Sequence, residues 1–143
     1  MTSSEERRRL LERVVRVVAG FDLVVTGCLA LPPFARVLLG LLFAGDAAAG
    51  FGTPRVAFEP LHWLFVNLAG VLGVLWATAR LLRPTLELAA LDLLGRLAAA
   101  AVILHATRAE GMSPLLHVFV GSELLGAALQ YWAVRRVWPP RSD

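Results

Sequence analysis

Residues 61–106, LHWLFVNLAGVLGVLWATARLLRPTLELAALDLLGRLAAAAVILHA, decide the fold. Two apolar runs flank a short polar break at Arg80, Arg83 and Pro84. Each run is about 20 residues long. A helix rising 1.5 Å per residue needs about that many to cross a hydrocarbon core of about 30 Å. Pro84 marks the break, because proline lacks an N–H and clashes with the preceding helical turn. The stretch therefore reads as two membrane spans, 61–82 and 85–106, joined by a tight turn.

Working outward, the same logic finds two more spans. An apolar run over 13–31 carries Arg16 and Asp22 and stops at Pro32-Pro33. A run over 114–134 begins with Pro114, which suits a first helical turn, and contains Glu123. The piece 34–44 spans only about 16 Å as a helix, too short to cross. It reads as an interfacial or re-entrant helix at the outer surface. Asp46 to Pro60 is punctuated by Gly50, Gly52, Pro54 and Pro60 and reads as a loop. The expected architecture is all-α: one membrane domain over 1–143, a four-helix transmembrane bundle with a short outer helix.

Composition excludes other classes. Of 143 residues, 57% are hydrophobic and 17% charged, where a soluble domain reaches roughly 45–50% apolar even with glycine counted. Mean hydropathy is +0.66. A disordered chain, a disulfide scaffold and a typical soluble enzyme are all ruled out. The single Cys28 allows no intrachain disulfide. Val25-Thr26-Gly27-Cys28 resembles a lipobox, but Asp22 interrupts the apolar run before it and Leu-Ala-Leu-Pro-Pro follows, so an uncleaved first helix is expected. All 14 basic residues are Arg, giving net charge +3 and a pI near 10.4. They are scattered beside apolar runs rather than clustered on one polar face, so no nucleic-acid partner is expected. Arg in place of Lys, with abundant Ala, Leu, Val and Gly, fits high-GC bacterial coding.

Arg also orients the chain. Arg7, Arg8, Arg9, Arg13, Arg16, Arg80, Arg83, Arg135, Arg136 and Arg141 fall on one side of a four-span layout, and Arg36, Arg55 and Arg108 on the other. Ten against three places both termini in the cytoplasm of a bacterial inner membrane, with the lipid bilayer as partner and another membrane protein as a candidate partner.

No nucleophile elbow, phosphate loop, dinucleotide fingerprint, HExxH or CxxC motif occurs, and no enzymatic activity is expected. The informative residues are ionisable groups inside spans, which cost a few kcal/mol each and by default suggest function. Asp22 lies about 15 Å into its span, Arg96 about 16 Å and Glu123 about 14 Å, so three helices present charge at one level. Asp92 sits one turn from Arg96 on the same face. These four form an expected intramembrane cluster. It is either a structural lock or a proton or cation site, with one or two carboxyls protonated by burial. His62, His105 and His117 all fall at outer span ends. No cofactor is assigned, but they are the candidates for a metal or haem, against a reading as interfacial side chains. Trp63, Trp132 and Trp138 lie where aromatic belts belong, and Trp76 lies deeper and reads as a helix-packing residue. Small residues at Ala69, Gly73 and Ala77, at Gly95 and Ala99, and at Ser122 and Gly126 mark expected close helix contacts.

Arg16 and Gly20 early in the first span, Gly27 after them, and four spans in about 140 residues resemble the DoxX-like group of small bacterial membrane proteins. The likeness lies in layout and carries no functional residue with it. Some members are accessory subunits beside redox enzymes, and the layout equally resembles other small four-helix inner-membrane proteins; the expectation of a non-catalytic accessory or scaffold role rests on small size and on the lack of a catalytic motif or a large extramembrane domain. The alternatives are a small proton- or ion-coupled carrier using the cluster, and a haem- or metal-binding membrane redox protein using the histidines.

Overall fold

The computed structural model describes residues 3–138. Among them are five α-helices and no strand: α1 Ser3–Ala30, α2 Pro32–Ala48, α3 Pro60–Leu82, α4 Leu86–Ala109 and α5 His117–Val137, with one 3₁₀ turn at Pro114–Leu116. The chain is all-α. Two helices, α3 and α4, are long and apolar enough to cross a membrane. A third crossing follows if α1 and α2, which meet at a bend of 102°, form one broken span. Helix α5 does not meet the same measure. It carries Glu123 and Gln130 along its length and Arg135 and Arg136 in its last turn.

Helix ends differ from those read in the sequence: α4 runs to Ala109 rather than 106, α5 covers His117–Val137 rather than 114–134, and α1 and α2 change most. α1 begins ten residues before 13, because its charged leader is itself helical. Arg8 pairs with Glu12 at 3.1 Å, one turn on, and Leu11 on that leader is buried. α2 covers Pro32–Ala48 rather than 34–44. The two prolines that end α1 occupy the first positions of α2, where a missing N–H costs nothing. At its far end, Asp46 is buried and bound rather than looped out.

α1 is the central helix. It packs against α3 along its length and against α5, and α5 packs against α4. The successive helices α3 and α4 are bridged mainly by side chains. Small residues set the close approaches. A Cβ on Gly70 would run into the Leu29–Ala30 backbone of α1, and one on Gly73 would meet Thr26. Asn67, one turn before Gly70, donates to the Leu29 carbonyl at 2.8 Å. The α3 contact stripe is therefore Gly70, Gly73 and Ala77. Ala69 is exposed, so the expected stripe is corrected by one residue at its outer end. On α4 the correction is larger. Gly95 faces open space, and the buried face is Ala89, Asp92, Arg96 and Ala100.

The large apolar side chains point outward: Leu64, Leu68, Leu72 and Leu75 on α3, and Leu91, Leu94 and Leu97 on α4, are exposed. Buried apolar residues are mostly Ala and Val. Toward the chain termini, Leu11, Val15, Ala89 and Ala133 form a compact apolar cluster. Of the three largest fully buried side chains, two are polar, Arg80 and Gln130. The bulk inside the bundle is thus supplied largely by polar side chains, set among small apolar ones.

Candidate functional site

α1, α3, α4 and α5 each send charged side chains to one point. Asp92 on α4 is the hub. Its Oδ2 accepts from Arg80 Nη1 at 2.6 Å, Arg96 Nε at 2.9 Å and Gln130 Nε2 at 2.5 Å. Its Oδ1 accepts from Trp76 Nε1 at 2.6 Å. Asp22 Oδ2 on α1 accepts from Arg80 Nη2 at 2.7 Å and from Arg96 Nη2. Glu123 Oε2 on α5 accepts from Arg96 Nη1 at 2.9 Å.

The structure brings together Asp22, Asp92, Arg96 and Glu123. Arg96 donates to all three carboxylates through three different nitrogens, which suits the planar fork of a guanidinium. Gly126 makes room for it, since a Cβ there would lie 2.7 Å from Arg96 Nη1.

Sequence reasoning missed three members. Arg80 reads as a turn residue counted with the cytoplasmic arginines, yet its side chain is 1% exposed and turns back into the bundle. The orienting count falls to nine against three, and one of the nine, Arg141, lies outside the described residues. Gln130 and Trp76 are the other two. A signal for Arg80 and Gln130 was present. Gly73, Ala77 and Arg80 follow i, i+4, i+7 spacing, and so do Glu123, Ala127 and Gln130, which puts each set on one helix face.

Beside the network lies a cavity of about 190 Å3. Its charged lining is Asp22, Arg80, Asp92, Arg96 and Glu123; Phe21, Trp76 and Phe119 supply aromatic walls. The Leu11–Val15–Ala89–Ala133 cluster lies on the terminus side of the network. Among the described residues, two buried side-chain atoms have no protein partner: Arg80 Nε and Gln130 Oε1.

The histidines lie elsewhere. His62 Nδ1 accepts from the Glu59 amide at 3.0 Å in a capping box at the start of α3. His105 lies 3.7 Å from Glu110. His117 contacts Pro114 O at 2.8 Å and Thr107 Oγ1 at 3.4 Å. Among the described residues, no three His, Cys, Asp or Glu side chains are grouped to hold a metal ion. Trp63 and Trp132 each carry an arginine over the ring, Arg36 and Arg136 respectively, at 5.2 Å.

A second polar knot closes the outer layer. Asp46 accepts from the Ser113 hydroxyl, from Thr53 Oγ1 at 2.7 Å and from the Thr53 amide at 3.1 Å. It ties α2 to the loop after it and to the α4–α5 connection. The Ser113 hydroxyl, then that of Thr53, hold the Asp46 carboxyl below the usual carboxylate range. A depressed carboxyl contributes stability that is fully present above its unfolded value and lost as pH falls through the folded one. The Thr53 amide resonance is therefore expected to titrate below the usual carboxylate range, and not at all in Asp46→Asn. A midpoint at or above that range would contradict the knot.

Comparison with known proteins finds no matching family model, no matching curated protein and no matching solved structure.

Proposed function

We propose that this chain is a four-span bacterial inner-membrane protein, both termini cytoplasmic, acting as a non-enzymatic accessory or scaffold subunit. One observation carries the reading: two arginines and three carboxylates from all four long helices, α1, α3, α4 and α5, converge in one hydrogen-bonded network. Such a network fixes helices relative to one another, and buried ionic groups are best attested in setting register. A rigid bundle with large apolar side chains on its outside has the form of a part that docks in lipid beside another membrane protein. The layout-level likeness to DoxX-like proteins points the same way. The carrier reading draws on the cavity beside the network. The haem or metal reading would need the three histidines drawn together.

Two measurements test the proposal. Reporter fusions after Arg136 and within 50–58 are expected to give cytoplasmic and periplasmic signals respectively; a periplasmic signal after Arg136 overturns the four-span layout. Extraction in mild detergent is expected to yield the chain in an assembly with a second membrane protein. A monomer or pure homo-oligomer under the gentlest extraction would speak against the accessory role.

A further inference from the structure

The network does not balance. Asp22, Asp92 and Glu123 bring three carboxylates, and Arg80 and Arg96 bring two guanidiniums. Arginine keeps its proton in proteins, so with every carboxylate ionised one negative charge is left over. An uncompensated charge at membrane depth costs several kcal/mol.

The surplus has a definite address. Asp92 accepts four hydrogen bonds and Asp22 accepts two from arginine, while Glu123 accepts one, from Arg96. Glu123 is also the most open of the three, its side chain 25% exposed against 16% for Asp22 and 6% for Asp92. It lines the cavity.

The cavity is also polar: Asp22, Arg80, Asp92, Arg96 and Glu123 all line it, and water is the ordinary occupant where a site is polar and roomy. The cavity of about 190 Å3 is well above the share of one water in the liquid, about 30 Å3. The apolar cluster Leu11, Val15, Ala89 and Ala133 lies on the other side of the network, so water reaches the charges from the cavity side.

We propose that this cavity is a hydrated proton-binding site in which Glu123 carries the exchangeable proton. A hydronium ion in the cavity gives its proton to a Glu123 carboxylate oxygen and leaves as water; one O–H bond forms, one breaks, and no electron is transferred. Protonated, the network sums to zero, with Asp22 and Asp92 matched by Arg80 and Arg96. The groups facing Glu123 are Asp22 from α1, Arg80 from α3, and Asp92 and Arg96 from α4. No histidine lines the cavity. The inference goes beyond the interhelical lock, which needs fixed charges only.

Infrared difference spectroscopy on the purified full chain in lipid tests it. At neutral pH the wild type is expected to show a protonated-carboxyl band that shifts in D2O. Glu123→Gln is expected to abolish the band, and Glu110→Gln, at the exposed end of α4, to leave it. Should Glu123→Gln not fold, Glu123→Asp serves in its place and is expected to move the band without removing it. Four results overturn the proposal: no such band at neutral pH, a band that survives Glu123→Gln or is unmoved by Glu123→Asp, a band that does not exchange in D2O, or a band removed by NaCl at constant pH, which would assign the site to an alkali cation. The lock is judged separately, by the stability of arginine variants.

Discussion

Arg96→Leu is expected to lower the thermal stability of the detergent-solubilised protein far more than Arg36→Leu. Among the described residues, Arg96 is the one that pairs with all three carboxylates of the network. Removing it leaves Asp22 and Asp92 to share Arg80, and takes from Glu123 its arginine. Breaking a buried pair by deleting one partner costs about 3–5 kcal/mol in soluble proteins. A carboxyl can recover part of this by taking a proton, so the loss should fall toward the lower end. Arg36 is exposed on α2 and lies over Trp63 at 5.2 Å, an arrangement worth about 0.5–1 kcal/mol at an exposed site. Thermal melts of the two variants side by side give the comparison. An Arg96→Leu protein as stable as wild type would remove the basis of the lock.

Gly70→Ala and Gly95→Ala are expected to act in opposite directions. A Cβ on Gly70 would lie 2.6 Å from Ala30 Cα and closer still to other backbone atoms of Leu29 and Ala30. Backbone cannot rotate out of the way as a side chain can, so α1 and α3 must separate, and the bond from Asn67 to the Leu29 carbonyl goes with them. Overpacking of this kind costs about 1–3 kcal/mol, occasionally more. A Cβ on Gly95 meets nothing within 4 Å, and alanine is favoured over glycine inside a helix by about 0.8–1 kcal/mol. The same melts read both. Equal shifts in one direction would mean that the α1–α3 crossing is looser than described.

Much of this was legible in the residues, and what was not has identifiable causes. The 61–82 and 85–106 runs announced both ends of α3 and the start of α4 to within a residue, although α4 runs three residues past 106, because hydropathy, a flanking proline and span length all agree there. The start of α1 and both ends of α2 were not legible, whereas the end of α1 before Pro32 was. Arg and Glu are good helix formers in a stretch that polarity alone marks as leader, and Pro32-Pro33 both ends one helix and starts the next. In the cluster, equal depth brought Asp22, Arg96 and Glu123 to one level, and helical spacing added Asp92. Depth misled for Arg80. Its Cα lies by the turn at Arg83, but its long side chain reaches back along α3 into the bundle, opposite to the outward reach usual for arginines near span ends. Trp76 read as a packing residue, and only the position of Asp92 on a neighbouring helix reveals it as a hydrogen-bond donor.

The order of the charged residues along the chain has a consequence for how the protein is made. The chain is made from the N-terminus onward, and its helices become available to pack in that order. α1 brings Asp22 and one negative charge. α3 then brings Arg80, which cancels it. α4 brings Asp92 and Arg96 together, a pair already neutral and hydrogen-bonded within one helix turn. At no stage does the growing network hold more than one unmatched charge. Only the arrival of α5 with Glu123 reopens the imbalance, by which time the other four charged groups have their partners. The residue left in surplus is thus the last to be made, and a nascent chain halted before α5 would already hold a neutral core.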